Sequence, residues 1–103
     1  MPFQPVYLLM SMKVKNSTLL GEYFQAVGGM LPKYGIELVS TGTSTVTVLE
    51  GSWDHQRTAL LKAPTRSAWF AFYESTEYES IKPMREKAAE SMVALFDGLD
   101  FSM

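Results

Sequence analysis

The segment from Val6 to Val14 is the part of the sequence that most restricts the possible folds. It has the pattern of a β-strand, in which successive side chains point to opposite faces of the sheet. The odd positions begin with Tyr7 and Leu9 and become polar only at Ser11 and Lys13. Every even position is apolar: Val6, Leu8, Met10, Met12 and Val14. The sheet that contains this strand therefore needs an apolar partner on both of its faces.

Helical blocks alternate with further strand-like segments along the rest of the chain. Asn16, Ser17 and Thr18 are candidates for capping a first helix, which should end near Pro32 and Gly35. The apolar pattern predicts a second strand at residues 36–40, whose β pattern resumes at 46–50 after a loop or bulge at 41–45, a third strand at 57–63 and a last strand at 92–96.

Thr65 is expected to cap a second helix, directly after Pro64 ends the strand at 57–63. A third helix follows, so the order of elements is β-α-β-β-α-(α)-β. This order predicts an α+β fold with a ferredoxin-like, four-stranded antiparallel sheet and its helices on one face.

The third helix begins in a segment rich in capping residues. Thr76 and Glu79 have the spacing of a capping box, which predicts a helix that starts at Glu77. Pro83 should bend this helix or restart it, because an interior proline costs about 3 kcal/mol.

The same helix places a phenol and a guanidinium on one face. Tyr78, Ile81 and Arg85 form an i, i+3, i+7 row, so their side chains should point in one direction.

Composition excludes several classes of function. At 103 residues the chain is predicted to be one domain, spanning residues 1–103. It has no cysteine, and His55 is its only histidine, so we predict no disulfide, no metal site and no cofactor. The net charge is −2 and there is no basic stripe, which argues against nucleic-acid binding. No signal peptide or membrane-spanning apolar run is evident, so we expect a cytoplasmic protein without a membrane partner.

The open face of the predicted sheet should be apolar rather than polar. We expect it to carry Tyr7 and Leu9, together with apolar side chains from Leu60-Leu61 and Val93-Leu95. A patch of this kind usually marks an interface. The sequence therefore predicts a two-fold symmetric homodimer that packs through its sheet faces.

Seven residues are candidates for a site between the helices and the sheet. Arginine beside tyrosine suits a carboxylate or enolate oxygen, because the guanidinium offers a planar fork of donors. The candidates for ligand binding are Glu50, Trp53, Arg57, Tyr78 and Arg85, and those for catalysis are Asp54, His55, Tyr78 and Arg85. Alternatively, Arg85 pairs with Glu50 or Glu77, and the two aromatic side chains only cap the core.

Asp54 and His55 could together shuttle a proton. Neighbours on an extended segment point to opposite sides, however, so a histidine in a surface loop is the simpler interpretation.

Three motifs resemble a known family of small proteins. The motifs are Val48-Leu-Glu-Gly-Ser-Trp-Asp54 followed by Arg57, Phe72-Tyr-Glu-Ser-Thr-Glu-Tyr78, and Lys82-Pro-Met-Arg85. They resemble the domain of unknown function DUF1330, within the dimeric α+β barrel superfamily, over about residues 5–98. The resemblance implies a ferredoxin-like subunit that dimerises sheet to sheet, and it implies no established activity.

The chain departs from the family pattern at two places. Thr76 stands where the family often has proline, and the first helix carries Gly28-Gly29 and Pro32, where the family usually has a plainer helix. Relatives in the wider superfamily look like antibiotic-biosynthesis monooxygenases, haem-degrading enzymes and lactone isomerases, but fold alone does not carry function across such a group.

Three functions remain open from the sequence. The first is binding of a small organic carbonyl or carboxylate compound between the helices and the sheet. The second is a cofactor-independent monooxygenase or an isomerase-like enzyme, and the third is a non-catalytic dimeric interaction module. An internal cavity lined by Tyr78 and Arg85 would favour the first two over the third.

Overall fold

The computed structural model describes residues 4–40, 46–53 and 57–99. Four strands and three α-helices, with one short 3₁₀ helix, make up this part of the chain. They are β1 (Val6–Val14), α1 (Ser17–Gly28), the 3₁₀ helix (Leu31–Tyr34), β2 (Glu37–Ser40), β3 (Arg57–Ala63), α2 (Arg66–Tyr73), α3 (Thr76–Ala88) and β4 (Ala89–Asp97). The strands form one antiparallel sheet in the order β2-β3-β1-β4. This arrangement confirms the predicted ferredoxin-like α+β fold.

The helices pack on the sheet face that carries the even positions of β1. Strand register places Leu8 opposite both Leu61 of β3 and Leu95 of β4. The buried side chains of this face form the core together with the helices: Val6, Leu8, Met10, Met12, Ala59, Leu61, Ala63 and Ala89. The core therefore lies in a single layer between helices and sheet.

The opposite, open face differs in part from the expectation. Tyr7, Leu9 and Leu60 lie on it as predicted, but Leu61, Val93 and Leu95 belong to the helix-covered face. Ala94, within the predicted stretch, does lie on the open face, and β4 also contributes Met92 and Phe96 to it. The error arose because β3 and β4 carry apolar side chains at both odd and even positions. Only the register with β1 therefore decides which of these side chains point outward.

The caps of the first two helices match the sequence interpretation. Oδ1 of Asn16 accepts a hydrogen bond from the amide of Leu19 at 3.0 Å, and Oγ1 of Thr65 accepts one from the amide of Ala68 at 3.0 Å. After α1 the chain turns through the 3₁₀ helix, and Gly35 ends this turn with a φ of 71°, in the left-handed region that favours glycine.

The predicted capping box of α3 is wrong by one residue. The cap is Ser75, whose Oγ accepts from the amide of Tyr78 at 3.1 Å and donates to the carbonyl of Phe72 at 2.7 Å. The second bond ties the end of α2 to the start of α3, which favours Ser75 over Thr76. Pro83 lies within α3, which continues through it to Ala88 and does not restart there.

Two strand predictions also need correction. Residues 46–50 are not a strand, because this segment pairs with no described strand, while the predicted loop at 41–45 lies outside the described residues. β4 is longer than the predicted 92–96, since Ala89 pairs with Val14 and Asp97 with Val6. No helix in the described ranges has the length and apolar character needed to cross a membrane.

Candidate functional site

A cavity of about 200 Å³ lies between the helices and the covered face of the sheet. Its walls are mostly apolar, and its polar side-chain groups come from two arginines, three tyrosines and the indole of one tryptophan. The lining residues are Leu8, Met10, Tyr23, Phe24, Val27, Gly28, Leu31, Leu38, Arg57, Leu61, Trp69, Phe72, Tyr73, Tyr78, Arg85 and Val93. Leu38 is 51% exposed, so the cavity reaches the surface beside β2.

A pair of buried phenols connects α1 to α3 in this cavity. The hydroxyl groups of Tyr23 and Tyr78 form a hydrogen bond at 2.7 Å, and both side chains are almost completely buried. Ser75 caps α3 at the amide of Tyr78, so the start of the helix sets the position of this phenol. Burial raises the pKa of Tyr23 far above its usual range, and the neighbouring Tyr78 raises it further, although Arg85 acts to lower it. Tyr23 is therefore a neutral hydrogen-bonding group at physiological pH.

Arg85 lies in the same cavity without a carboxylate partner. Its side chain is only 5% exposed, and its Nε is buried with no hydrogen-bond acceptor. Burial acts to lower the pKa of Arg85, but the neighbouring phenols of Tyr78, Tyr23 and Tyr73 raise it overall. The guanidinium is therefore a permanent positive charge in a mostly apolar enclosure.

Neither of the acidic residues that the sequence offered to Arg85 pairs with it. Glu77 forms an ion pair with Lys33 at 3.1 Å, and Glu50 is exposed and outside the cavity lining. Within the described ranges, no carboxylate pairs with Arg85.

The cavity holds more hydrogen-bond donors than acceptors. A guanidinium carries five N–H groups and no acceptor, and two phenols that bond to each other use only one of their two hydrogens. Buried donors in folded proteins nearly always have a partner. The arrangement of Tyr23, Tyr78 and Arg85 can therefore bind an oxygen-rich or anionic group and stabilise negative charge on it.

The structure brings together three of the residues that the sequence pointed to. Tyr78, Arg85 and Arg57 all line the cavity, with Arg57 on the covered face of β3. Trp53 is 42% exposed, its Nε1 donates to Oγ1 of Thr58 at 3.3 Å, and it does not line the cavity.

Two of the predicted catalytic candidates, Asp54 and His55, lie outside the described residues. No cluster of three or more potential metal ligands occurs within residues 4–40, 46–53 and 57–99.

Tyr23 is the polar cavity residue that the sequence analysis missed. It lies on the apolar side of α1 and therefore reads as an ordinary core residue. A signal was nevertheless present, because a phenol on the buried face of a helix requires a partner for its hydroxyl group. Tyr73 was missed in the same way, and the ammonium of Lys82 lies 4.9 Å from the centre of its ring.

Solved structures share this fold at low sequence identity. The methylated RPA0582 protein superposes with a TM-score of 0.80 at 15% identity, over 97% of this chain and 84% of that chain. A second structure of RPA0582, a protein of unknown function from Rhodopseudomonas palustris, gives 0.78 at 14% identity over 93% and 83%. A protein from Nitrosomonas europaea that is provisionally assigned as an antibiotic biosynthesis monooxygenase gives 0.57 at 16% identity over 92% and 98%. These likenesses establish the fold alone.

No curated protein is similar enough in sequence to count as a relative. The family model is more informative, because it matches nearly the whole sequence, over residues 5–99. It spans all four strands, all three α-helices and every residue that lines the cavity. This chain therefore belongs to the family of the domain of unknown function DUF1330.

Proposed function

We propose that this protein binds a small organic carboxylate or carbonyl compound in the cavity between the helices and the sheet. Arg85 would contact the ligand oxygen through its guanidinium, and Tyr78 would donate a further hydrogen bond. The observation that carries the proposal is the buried, unpartnered Nε of Arg85 in the wall of a mostly apolar cavity.

Charge supports an anionic or strongly polarised ligand. Arg85 and Arg57 line the cavity, and the lining residues include no carboxylate. An arginine charge that is shielded from water is normally offset by an anion with good hydrogen-bond geometry. A carboxylate supplies both, since its two oxygens match the fork of a guanidinium.

A second candidate is proton transfer or oxygenation of an activated carbon acid without a cofactor. The observation in its favour is the cluster of donors around Tyr78 and Arg85, which would stabilise a developing enolate oxygen. Such a reaction also needs a base, and no lining residue is a carboxylate or a histidine. Asp54 or His55 would have to supply it, so binding without catalysis is the simpler proposal.

We also propose that two chains form a homodimer through the open sheet face. Phe96 and Met92 are large apolar side chains with more than a third of their surface exposed there, and Tyr7 stacks on Phe96 with ring centres 6.0 Å apart. An exposed apolar face on an antiparallel sheet needs cover. If the cavity proves not to bind ligands, this dimer would be a non-catalytic interaction module.

The binding proposal is tested by calorimetric titration with compounds that share one alkyl chain. Hexanoate and 2-hexanone carry the proposed oxygen groups, and 1-hexanol is the control that lacks both the charge and the carbonyl. We expect hexanoate to bind wild type more tightly than 1-hexanol. Arg85→Gln should weaken hexanoate by about 10- to 100-fold, because hydrogen bonds to charged groups contribute about 1.5–3 kcal/mol, and should leave 1-hexanol unchanged.

Arg66→Gln is the matched control, because Arg66 is exposed, pairs with Asp97 at 2.7 Å and does not line the cavity. The proposal fails if neither hexanoate nor 2-hexanone binds wild type, or if a folded Arg85→Gln protein binds hexanoate as well as wild type does.

A further inference from the structure

The two sides of the cavity differ in the kind of apolar surface they present. The sheet contributes aliphatic and thioether side chains, chiefly Leu8, Met10 and Leu61. All of the aromatic residues in the lining come instead from the three helices: Tyr23 and Phe24 of α1, Trp69, Phe72 and Tyr73 of α2, and Tyr78 of α3. A ligand in this space therefore lies between a wall of rings and a floor of aliphatic side chains.

The rings of this wall hold one another in position. Phe72 is central to them, with its ring centre 4.7 Å from that of Tyr78 and 5.3 Å from that of Trp69. Tyr73 lies 5.4 Å from Tyr78 and stacks on Trp69 at 5.7 Å. These separations are within the range of favourable ring packing. The wall therefore offers oriented ring faces and edges to a ligand, without first having to become ordered.

The volume of the cavity limits the ligand to about one ring. A dry, apolar cavity of about 150 Å³ in another protein holds a benzene molecule. The cavity here is about 200 Å³, which leaves room for a carboxylate in addition to one ring. The donors of Arg85 and of the Tyr23–Tyr78 pair belong to this same space, so one planar molecule can meet the rings and the charge together.

We infer that the ligand is a planar, single-ring aromatic carboxylate, the class represented by benzoate. This inference rests on the proposed function and narrows it from small oxygen-bearing compounds in general to flat ones. A flat ring can pack face-on or edge-on against the helix rings, whereas a puckered saturated ring of the same size has neither a π face nor a polarised edge.

Benzoate and cyclohexanecarboxylate test the inference directly. Both are fully ionised at pH 7, and they have the same number of non-hydrogen atoms and the same charge. We expect calorimetric titration of wild type to give a Kd for benzoate about three- to tenfold lower than that for cyclohexanecarboxylate, the range that ring packing contributes.

Two variants locate the source of the preference. Phe24→Leu removes a half-buried ring that lines the cavity, and it should reduce the preference for benzoate measurably without abolishing it, because five other rings remain in the lining. Phe70→Leu removes an exposed ring of α2 that does not line the cavity, and it should leave their ratio unchanged.

If the Kd of wild type for cyclohexanecarboxylate is equal to or lower than its Kd for benzoate, the inference is overturned, whether or not the variants fold. If both ligands then lose affinity in Arg85→Gln, the proposed function stands without the aromatic class. An equal change in ratio for the two phenylalanine variants also overturns it. If wild type binds neither ring compound, the inference is wrong, and the hexanoate and 2-hexanone titrations decide the proposed function separately.

Discussion

Replacing Arg85 with methionine should make the unliganded protein more stable. Arg85 is 5% exposed, its Nε has no acceptor, and no carboxylate of the described ranges pairs with it. A buried N–H without a partner costs about 1–3 kcal/mol. Replacing buried ionic groups by apolar side chains of similar volume is neutral or stabilising by about 1–4 kcal/mol.

The neighbouring phenols offset part of this gain. They favour the charged form of Arg85, as its raised pKa indicates. We therefore expect Arg85→Met to increase the free energy of unfolding by about 1–2 kcal/mol, at the lower end of the range for buried ionic groups. For a domain of this size, that corresponds to a rise in Tm of about 5–10 °C.

Urea unfolding followed by circular dichroism measures this difference. Wild type and variant must be compared at equal protein concentration, because the proposed homodimer would make the apparent stability depend on concentration. Arg66→Met is the matched control, since it removes an exposed arginine from an ion pair and should change the free energy of unfolding by less than about 1 kcal/mol. A loss of about 3–5 kcal/mol in Arg85→Met would refute the reasoning, because that is the effect of breaking a buried salt bridge.

Three further predictions follow from the contacts described above. Ser75→Ala should lower the free energy of unfolding by about 1 kcal/mol, whereas Thr76→Ala should change it by less than half of that in the same urea experiment, because only Ser75 caps α3. Because the pKa of Tyr23 is raised in the folded protein, the phenol loses its proton in the unfolded chain first. Tyr23 should therefore not affect the free energy of unfolding up to about pH 10, above which this free energy should fall by up to about 1.4 kcal/mol per pH unit. Urea unfolding repeated across this pH range should show the fall in wild type and not in Tyr23→Phe. Leu60→Lys on the open sheet face should give monomers in sedimentation experiments, and Leu49→Lys at an exposed position outside the sheet should not; a dimeric Leu60→Lys protein would contradict the proposed interface.

The sequence predicts the fold well where local signals agree with one another. The bounds of β1 and β3 match the prediction, and Pro64 ends β3 as expected. Two capping side chains, Asn16 and Thr65, also act as expected. At the start of α3, Ser75 and Thr76 are both good caps, and what favours Ser75 is its bond to the carbonyl of Phe72 at the end of α2, a contact that requires both helices to have formed.

Features that depend on pairing between distant segments were harder to predict. Residues 46–50 have apolar residues at strand spacing, yet a strand also requires a partner, which the sequence does not display. The direction of Val93 and Leu95 depends on register for the same reason, since a shift of one residue exchanges the two faces of a strand.

In the candidate site, too, neighbours on one helix were predicted and a contact between distant segments was not. Tyr78 and Arg85 were placed together because seven residues are close to two turns of one helix. Tyr23 was not, because its bond to Tyr78 joins α1 to α3 across 55 positions of the sequence. Helix periodicity can therefore find one wall of a cavity, while the groups that complete it from another helix become visible only in the folded chain.

Arg85 and the cavity around it are best understood as one feature. Folding alone favours an apolar side chain at position 85, because such a side chain would need no acceptor and could fill part of the enclosed space. The chain instead places a permanent charge beside a bonded pair of phenols, in a cavity of about 200 Å³ between rings and sheet. The proposed anionic ligand would offset both costs together, since its oxygens would accept from the donors and its apolar part would pack against the cavity walls. A ligand of this kind therefore accounts for a combination that the stability of the fold by itself does not explain.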